Sequence, residues 1–305
     1  MYDRILFPTD GSEAATAAFE HVLDIAAAHD ATVHVLNVAD TTRDSVIRIR
    51  GQIVDALESE GERIVDEAAE RATERGVAAE TAVLQGAPED IITEYAAERD
   101  IDLVAMPTHG RQGLSRLFLG SVTERVVRQS DVPVLTLRPD AEFDYPYDSV
   151  LFPTDGSDSA AAAFDVACDT VVTNDAALHV LSVVNVASLG AGSYTREQTG
   201  FLEEEASDVV ESTVTDAEER GIESVVGVVE HDTSIHARIL SYVEDHDIDL
   251  LVVGTHGRTG LDRYLLGSVT EKLVRTSPVP VLTVHEPNAE TEGEAEADSG
   301  TDPDA

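Results

Sequence analysis

The chain has a single cysteine, Cys168, a single lysine, Lys272, and no tryptophan. One cysteine excludes an internal disulfide framework and fits a reducing compartment. Lysine and arginine together number 20 against 60 aspartates and glutamates, so the formal charge is −40. Such a shortage of cations excludes nucleic-acid binding by phosphate neutralisation, which needs a basic face. It equally opposes docking on an anionic membrane. No apolar run approaches the roughly 20 residues of a membrane-spanning helix. Residues 1–8 lack the basic and apolar zones of a signal peptide, so a cytoplasmic location is expected. What the chain does have is 42% hydrophobic residues, too many for a disordered polymer, and 305 residues, enough for two ordinary domains.

The acidity is spread along the chain. The last 20 residues hold eight acids and no base, which leaves −32 on the rest. Like charges at this density repel at low ionic strength. At about 1 M salt the Debye length falls to about 3 Å and the repulsion largely vanishes. Abundant acid with almost no lysine resembles proteins of salt-loving cells that keep molar salt in the cytosol.

The sequence is a duplication. Residues 5–12 read ILFPTDGS and residues 150–157 read VLFPTDGS, an offset of 145. Residues 108–136 and 255–283 share THGR, then LGSVTE, then PVLT, with 21 of 29 positions identical at an offset of 147. Two copies of one domain follow, at 1–138 and 148–285. Residues 139–147, with two prolines, form the linker. Residues 286–305 read as a disordered acidic tail.

Each copy alternates short β-branched runs with helical patterns. In the first, strands are expected at 5–7, 32–38, 81–84, 102–106 and 132–137. Helices are expected at 12–29, 52–75, 88–99 and 121–130. This alternation predicts an α/β fold: two tandem doubly wound domains, each with a five-stranded parallel sheet buried on both faces. Ligands of such folds lie beyond the carboxyl ends of the strands, near a topological switch point.

The chemistry sits at those strand ends. After the first strand come Pro8-Thr9-Asp10 and Pro153-Thr154-Asp155, each followed by Gly-Ser. An aspartate there can accept hydrogen bonds from a ribose; the same residues equally make a turn and a helix N-cap. After the fourth strand the second copy reads Gly254-Thr255-His256-Gly257, nine residues, then Gly267-Ser268. Glycines admit close approach of a ligand to backbone, and Gly-Ser opens a helix whose free N–H groups favour a phosphate. No lysine lies in this loop, so it is not a P-loop. Ser121-Val122-Thr123-Glu124 and Ser268-Val269-Thr270-Glu271 also read as capping boxes, which would satisfy the helix ends without a ligand.

These segments together resemble the universal stress protein family, whose nucleotide-binding members carry Gly, two residues, Gly, nine residues, Gly-Ser/Thr. The second copy matches at Gly254, Gly257, Gly267 and Ser268. The first matches at Gly110, Gly120 and Ser121, with Pro107 at the first glycine. The resemblance covers both copies and implies a Rossmann-like fold of the adenine nucleotide alpha hydrolase type. It implies bound ATP, or AMP or ADP, with Mg²⁺ as a candidate companion. Asp155 would hold the ribose, beside Pro153; Val183 would meet the adenine through its backbone. Val253 and Gly254 would flank the nucleoside, and Gly257, Gly267, Ser268 and Val269 would surround the phosphates. The first-copy counterparts are Pro8, Asp10, Val38, Met106, Pro107, Gly110, Gly120, Ser121 and Val122. Arg111 and Arg258 either add charge to a phosphate or lie solvated at the surface. Pro107 has no N–H to donate, so the second site is expected to bind more tightly.

Other signals carry less. His231 and His236 are five apart, off the helical spacing of metal ligands, and no cysteine cluster accompanies them. His109 and His256 lie inside the motif loop. No Gly-x-Ser-x-Gly elbow is present. Cys168 reads as core, and Tyr145 and Tyr147 as packing across the domain join. Three functions compete: a stress-response protein whose conformation or partners change with adenine nucleotide, a slow ATP hydrolase, and a ligand-free docking module. The resemblance also implies pairing of the two last strands, at 132–137 and 279–284. That would make an intramolecular pseudo-dimer, with a homodimer of chains as a further possibility.

Overall fold

The computed structural model describes residues 2–41, 52–110, 119–139, 141, 143–189, 196–257 and 266–286. Arg111, Arg258 and the acidic segment from 287 onward lie outside these. The first copy runs β1 (Arg4–Pro8), α1 (Glu13–His29), β2 (Thr32–Asp40), α2 (Gln52–Glu74), β3 (Ala79–Gly86), α3 (Pro88–Glu98), β4 (Leu103–Pro107), α4 (Ser121–Gln129) and β5 (Val134–Leu137). The second repeats it: β6 (Ser149–Pro153), α5 (Asp158–Asn174), β7 (Ala177–Asn185), α6 (Arg196–Glu219), β8 (Val225–Asp232), α7 (Ile235–Asp245), β9 (Leu250–Gly254), α8 (Ser268–Thr276) and β10 (Val281–Val284). Local chemistry sets the ends. Ser12 and Ser157 cap α1 and α5 through Oγ, and both helices stop at an aspartate in the left-handed region, Asp30 and Asp175.

The two expected five-stranded sheets are present and join into one through their last strands, as expected. The order is β3-β2-β1-β4-β5-β10-β9-β6-β7-β8, parallel within each copy and antiparallel only where β5 meets β10. Strand order reverses between β1 and β4, and again between β6 and β9, which places a switch point in each copy. β1, β4 and β9 are apolar and buried almost throughout because helices cover both faces. On one face a single cluster runs through both copies, joining Phe7, Phe19 and Val35 to Phe152, Phe164 and Val180. On the other face each copy has its own cluster, around Tyr95 under α3 and α4 and around Tyr242 under α7 and α8.

The seam is built from paired residues. Thr136 Oγ1 donates to the Val281 carbonyl and Thr283 Oγ1 to the Val134 carbonyl, both at 3.1 Å. Arg138 donates to the Thr276 and Ser277 carbonyls at 3.0 and 3.3 Å, at the end of α8. Leu119 packs against the second copy's cluster, and Leu266 against the first's. The linker joins in: Tyr147 bonds to His21 and Tyr145 to His29, each at 2.9 Å. Cys168 is buried in α5, which raises its thiol to about 11. No described helix is long and apolar enough to cross a membrane.

Candidate functional site

The residues singled out in the sequence converge on the carboxyl ends of β1, β2 and β4, and of β6, β7 and β9. Asp10 Oδ1 accepts the Ser12 N–H at 3.0 Å, closing a turn in which Gly11 has φ +70°. Its other oxygen faces the loop after β4: a methyl group on Gly110 would stand 2.5 Å from Asp10 Oδ2. The second copy repeats this, with Asp155 Oδ1 on the Ser157 N–H and Oδ2 2.8 Å from a methyl on Gly257. One oxygen of each aspartate is thus committed to the turn, and the other faces the motif loop. Only glycine lets the loop backbone lie against the carboxylate.

The base of each motif loop is closed the same way. The Gly120 N–H donates to the Thr108 carbonyl and the Gly267 N–H to the Thr255 carbonyl, both at 2.8 Å. Thr123 Oγ1 donates to the Pro107 carbonyl at 3.0 Å, and Thr270 Oγ1 to the Gly254 carbonyl at 2.8 Å. The strand end is thus bolted to the helix start. These buried threonines escaped the sequence reading, though both stand in the repeated Ser-Val-Thr-Glu. Asn37 escaped it too; its side-chain amide donates to the Thr9 carbonyl at 2.8 Å and holds the end of β1.

The capping-box expectation is corrected. Gly120 and Gly267 occupy the N-cap positions of α4 and α8, and among the described residues no side chain caps either helix. Ser121 and Ser268 are the first helical residues, one place too late to cap. The Glu124 and Glu271 amides bond to the Gly120 and Gly267 carbonyls, so the earlier first-turn amides face outward past exposed serines.

Val38 and Val183 sit one turn of the pleat beyond the neighbouring strand. β1 pairs with β2 only to Leu36, whose carbonyl takes the Thr9 N–H. By the two-residue period, the Val38 N–H and C=O point the same way, into the space past the end of β1. Leu181 and Val183 repeat this past β6. Met106 and Val253 are 4% exposed and their side chains belong to the cores, which leaves only backbone for the site. Pro8 and Pro153 end β1 and β6, and Val122 and Val269 pack against the cores beneath the helix starts.

Gly254 has its own reason. A methyl there would stand 2.6 Å from the Ser159 carbonyl oxygen and 2.5 Å from Ser159 Oγ, which also accepts the His256 N–H at 3.2 Å. The first copy has Ala14 at the counterpart of Ser159 and Pro107 at that of Gly254. The first motif glycine therefore answers to helix packing, and Pro107 keeps the carbonyl that the threonine bolt uses. His109 and His256 are held by their preceding threonines, with Nδ1 at 2.8 and 2.9 Å from Oγ1.

A profile of the universal stress protein family matches residues 1–138 and again 146–285. Universal stress protein MJ0531 of Methanocaldococcus jannaschii is 36% identical over 141 residues, 45% of this chain and 83% of its own length. Universal stress protein YxiE of Bacillus subtilis is 30% identical over 148 residues, again 45% of this chain and 100% of its own. A solved universal stress protein from Archaeoglobus fulgidus superposes with a TM-score of 0.73 at 26% identity, covering 93% of this chain and 98% of that one.

Proposed function

The chain belongs to the universal stress protein family, and on that premise we propose that it binds an adenine nucleotide, ATP or its relatives AMP and ADP, in both copies. The observation that carries this reading is the pair of helix starts, α4 and α8, each entered at a glycine that offers no side-chain cap and lies beside a switch point. Free N–H groups and the positive end of the helix dipole favour a phosphate there. Asp10 and Asp155 have the place and chemistry to accept from ribose hydroxyls. Val38 and Val183 offer the backbone donor and acceptor that an adenine edge uses. Gly110 and Gly257 leave room for phosphates against the loop.

The ligand-free docking reading leaned on the capping boxes, and neither is made. The net charge of −40 does not oppose an anionic ligand in molar salt, where only contacts at a few ångströms survive screening. Among the described residues no cluster of three or more His, Cys, Asp or Glu could hold a metal; Mg²⁺ enters this reading as a companion of the phosphates. The bound nucleotide would set the conformation or partners of the protein in a stress response, in the cytoplasm of a salt-loving cell. Calorimetric titration with ATP and Mg²⁺ in multimolar KCl tests the reading. Saturable binding lost at one site in Gly110→Val and at the other in Gly257→Val supports it. No heat in the wild type overturns it, and steady phosphate release above a Mg²⁺ blank would move it to a slow hydrolase.

A further inference from the structure

A cavity of about 200 Å³ lies between the two copies at the opposite end of the sheet from the nucleotide sites. Its walls come in pairs related by the duplication: Leu103 with Leu250, Leu135 with Leu282, and Tyr2 with Tyr147. It therefore straddles the pseudo-two-fold axis and exists only because the copies pair. Leu103 and Leu250 open β4 and β9, whose far ends are Pro107 and Gly254. Four residues of strand, about 13 Å, separate the cavity from either candidate nucleotide site.

Most of the polar groups around it are occupied with one another. The Tyr2 N–H donates to His29 Nδ1 at 3.1 Å. That fixes the proton on Nε2, which donates to the Tyr145 hydroxyl at 2.9 Å. Asn174 accepts the Tyr147 N–H and donates to the Thr170 carbonyl. Asp102 Oδ2 accepts from the amides of Asp3 and Arg4, both at 2.8 Å. Burial raises the Tyr2 phenol to about 12 and the Tyr147 phenol well above its usual value, and it lowers His29. At neutral pH these rings carry no charge. What remains for a ligand is a mostly apolar wall, with the exposed Asp169 and Thr173 at its rim. A closed cavity of about 150 Å³ lined by aliphatic and aromatic side chains is known to take up benzene; this one is somewhat larger and opens to solvent beside Asp169 and Thr173.

We propose that the axial cavity is a second ligand site, for a small uncharged apolar molecule the size of a substituted benzene ring. A molecule held there touches both copies and the linker, so it stabilises the paired arrangement. The inference stands apart from the nucleotide reading, because its residues and its test are different.

Ligand-observed fluorine NMR with fluorobenzene, on the full chain in multimolar KCl, tests it. One saturable site is expected, with a dissociation constant on the order of 1 mM, as suits six or seven heavy atoms. Benzene should compete, while benzoate should compete at least tenfold more weakly. Thr173→Trp and Val166→Trp put bulk into the wall from an exposed and a half-buried position of α5. Both should fold, by circular dichroism, and lose fluorobenzene at least tenfold while keeping the response to ATP of the wild type. Absence of saturable binding, or equal binding in both folded tryptophan variants, overturns the proposal.

Discussion

Gly110 and Gly257 are the residues whose replacement speaks most directly to the site. A methyl group on either would fall within 2.8 Å of an aspartate oxygen. Gly257→Ala should leave the fold intact and weaken nucleotide binding at the second site at least tenfold, read by titration of that variant against wild type. Gly254→Ala should behave differently. Its methyl would strike the α5 backbone at Ser159, so it should cost about 1–3 kcal/mol of stability, read by urea unfolding. The glycine spacing of the motif was legible in the sequence. The different tasks of its glycines were not, because the partners Ser159 and Asp155 lie about 100 residues upstream and only the fold brings them together. His21 supplies a pH prediction. It is buried among linker aromatics, and burial lowers its pKa to about 4 from 6.5, with Asp144 pulling the other way. The unfolded chain therefore binds the proton first as pH falls. Stability is full above pH 6.5 and is lost towards pH 4, by about 3 kcal/mol from this group. Unfolding free energies between pH 7 and 5 should show a smaller slope in His21→Gln than in wild type; equal slopes would remove His21 as the cause.

At the scale of elements, strand and helix order was readable from periodicity, and the observed ends differ by a few residues. The consequential misreading was the start of α4 and α8. Ser-x-x-Glu predicts a cap, yet the chain enters each helix one residue earlier because the Gly120 and Gly267 amides are pulled onto the Thr108 and Thr255 carbonyls. The threonine bolt on the preceding strand fixes that position. Thr270→Val should therefore weaken the second site several-fold and the first not at all. Crossing of the loop leucines was also invisible in the sequence, since it depends on how the copies meet. Leu119 and Leu266 each precede a motif glycine and pack into the opposite copy's cluster. Leu266→Ala should cost about 1–2 kcal/mol by lost burial, and it should loosen nucleotide binding at the second site, whose glycine it anchors, more than at the first. Equal loss at both sites would assign it to general stability.

For the whole molecule, duplication of the sequence made the two-domain α/β architecture legible, and the last strands of each copy were the expected pairing edge. The continuous ten-stranded sheet, with its threonine pair and the Arg138 contact to α8, follows from that pairing. Closure of both inner edges within one chain leaves β3 and β8 as the sheet edges among the described residues. Charge acts at this scale as well. With −40 on the chain, the midpoint of thermal unfolding should climb by roughly 10 °C or more between about 0.1 M and about 3 M KCl, as screening removes the repulsion. A flat profile would separate this protein from the salt-adapted class its composition resembles. The central claim is that both copies hold an adenine nucleotide at helix starts entered through a glycine. Its most direct test counts the adenine nucleotides released by denaturing protein that has been saturated with ATP and Mg²⁺ in multimolar KCl and freed of excess ligand. Two per chain is the predicted result; one would refute binding in both copies, and none, with no calorimetric response to ATP in the same salt, would contradict the nucleotide reading altogether.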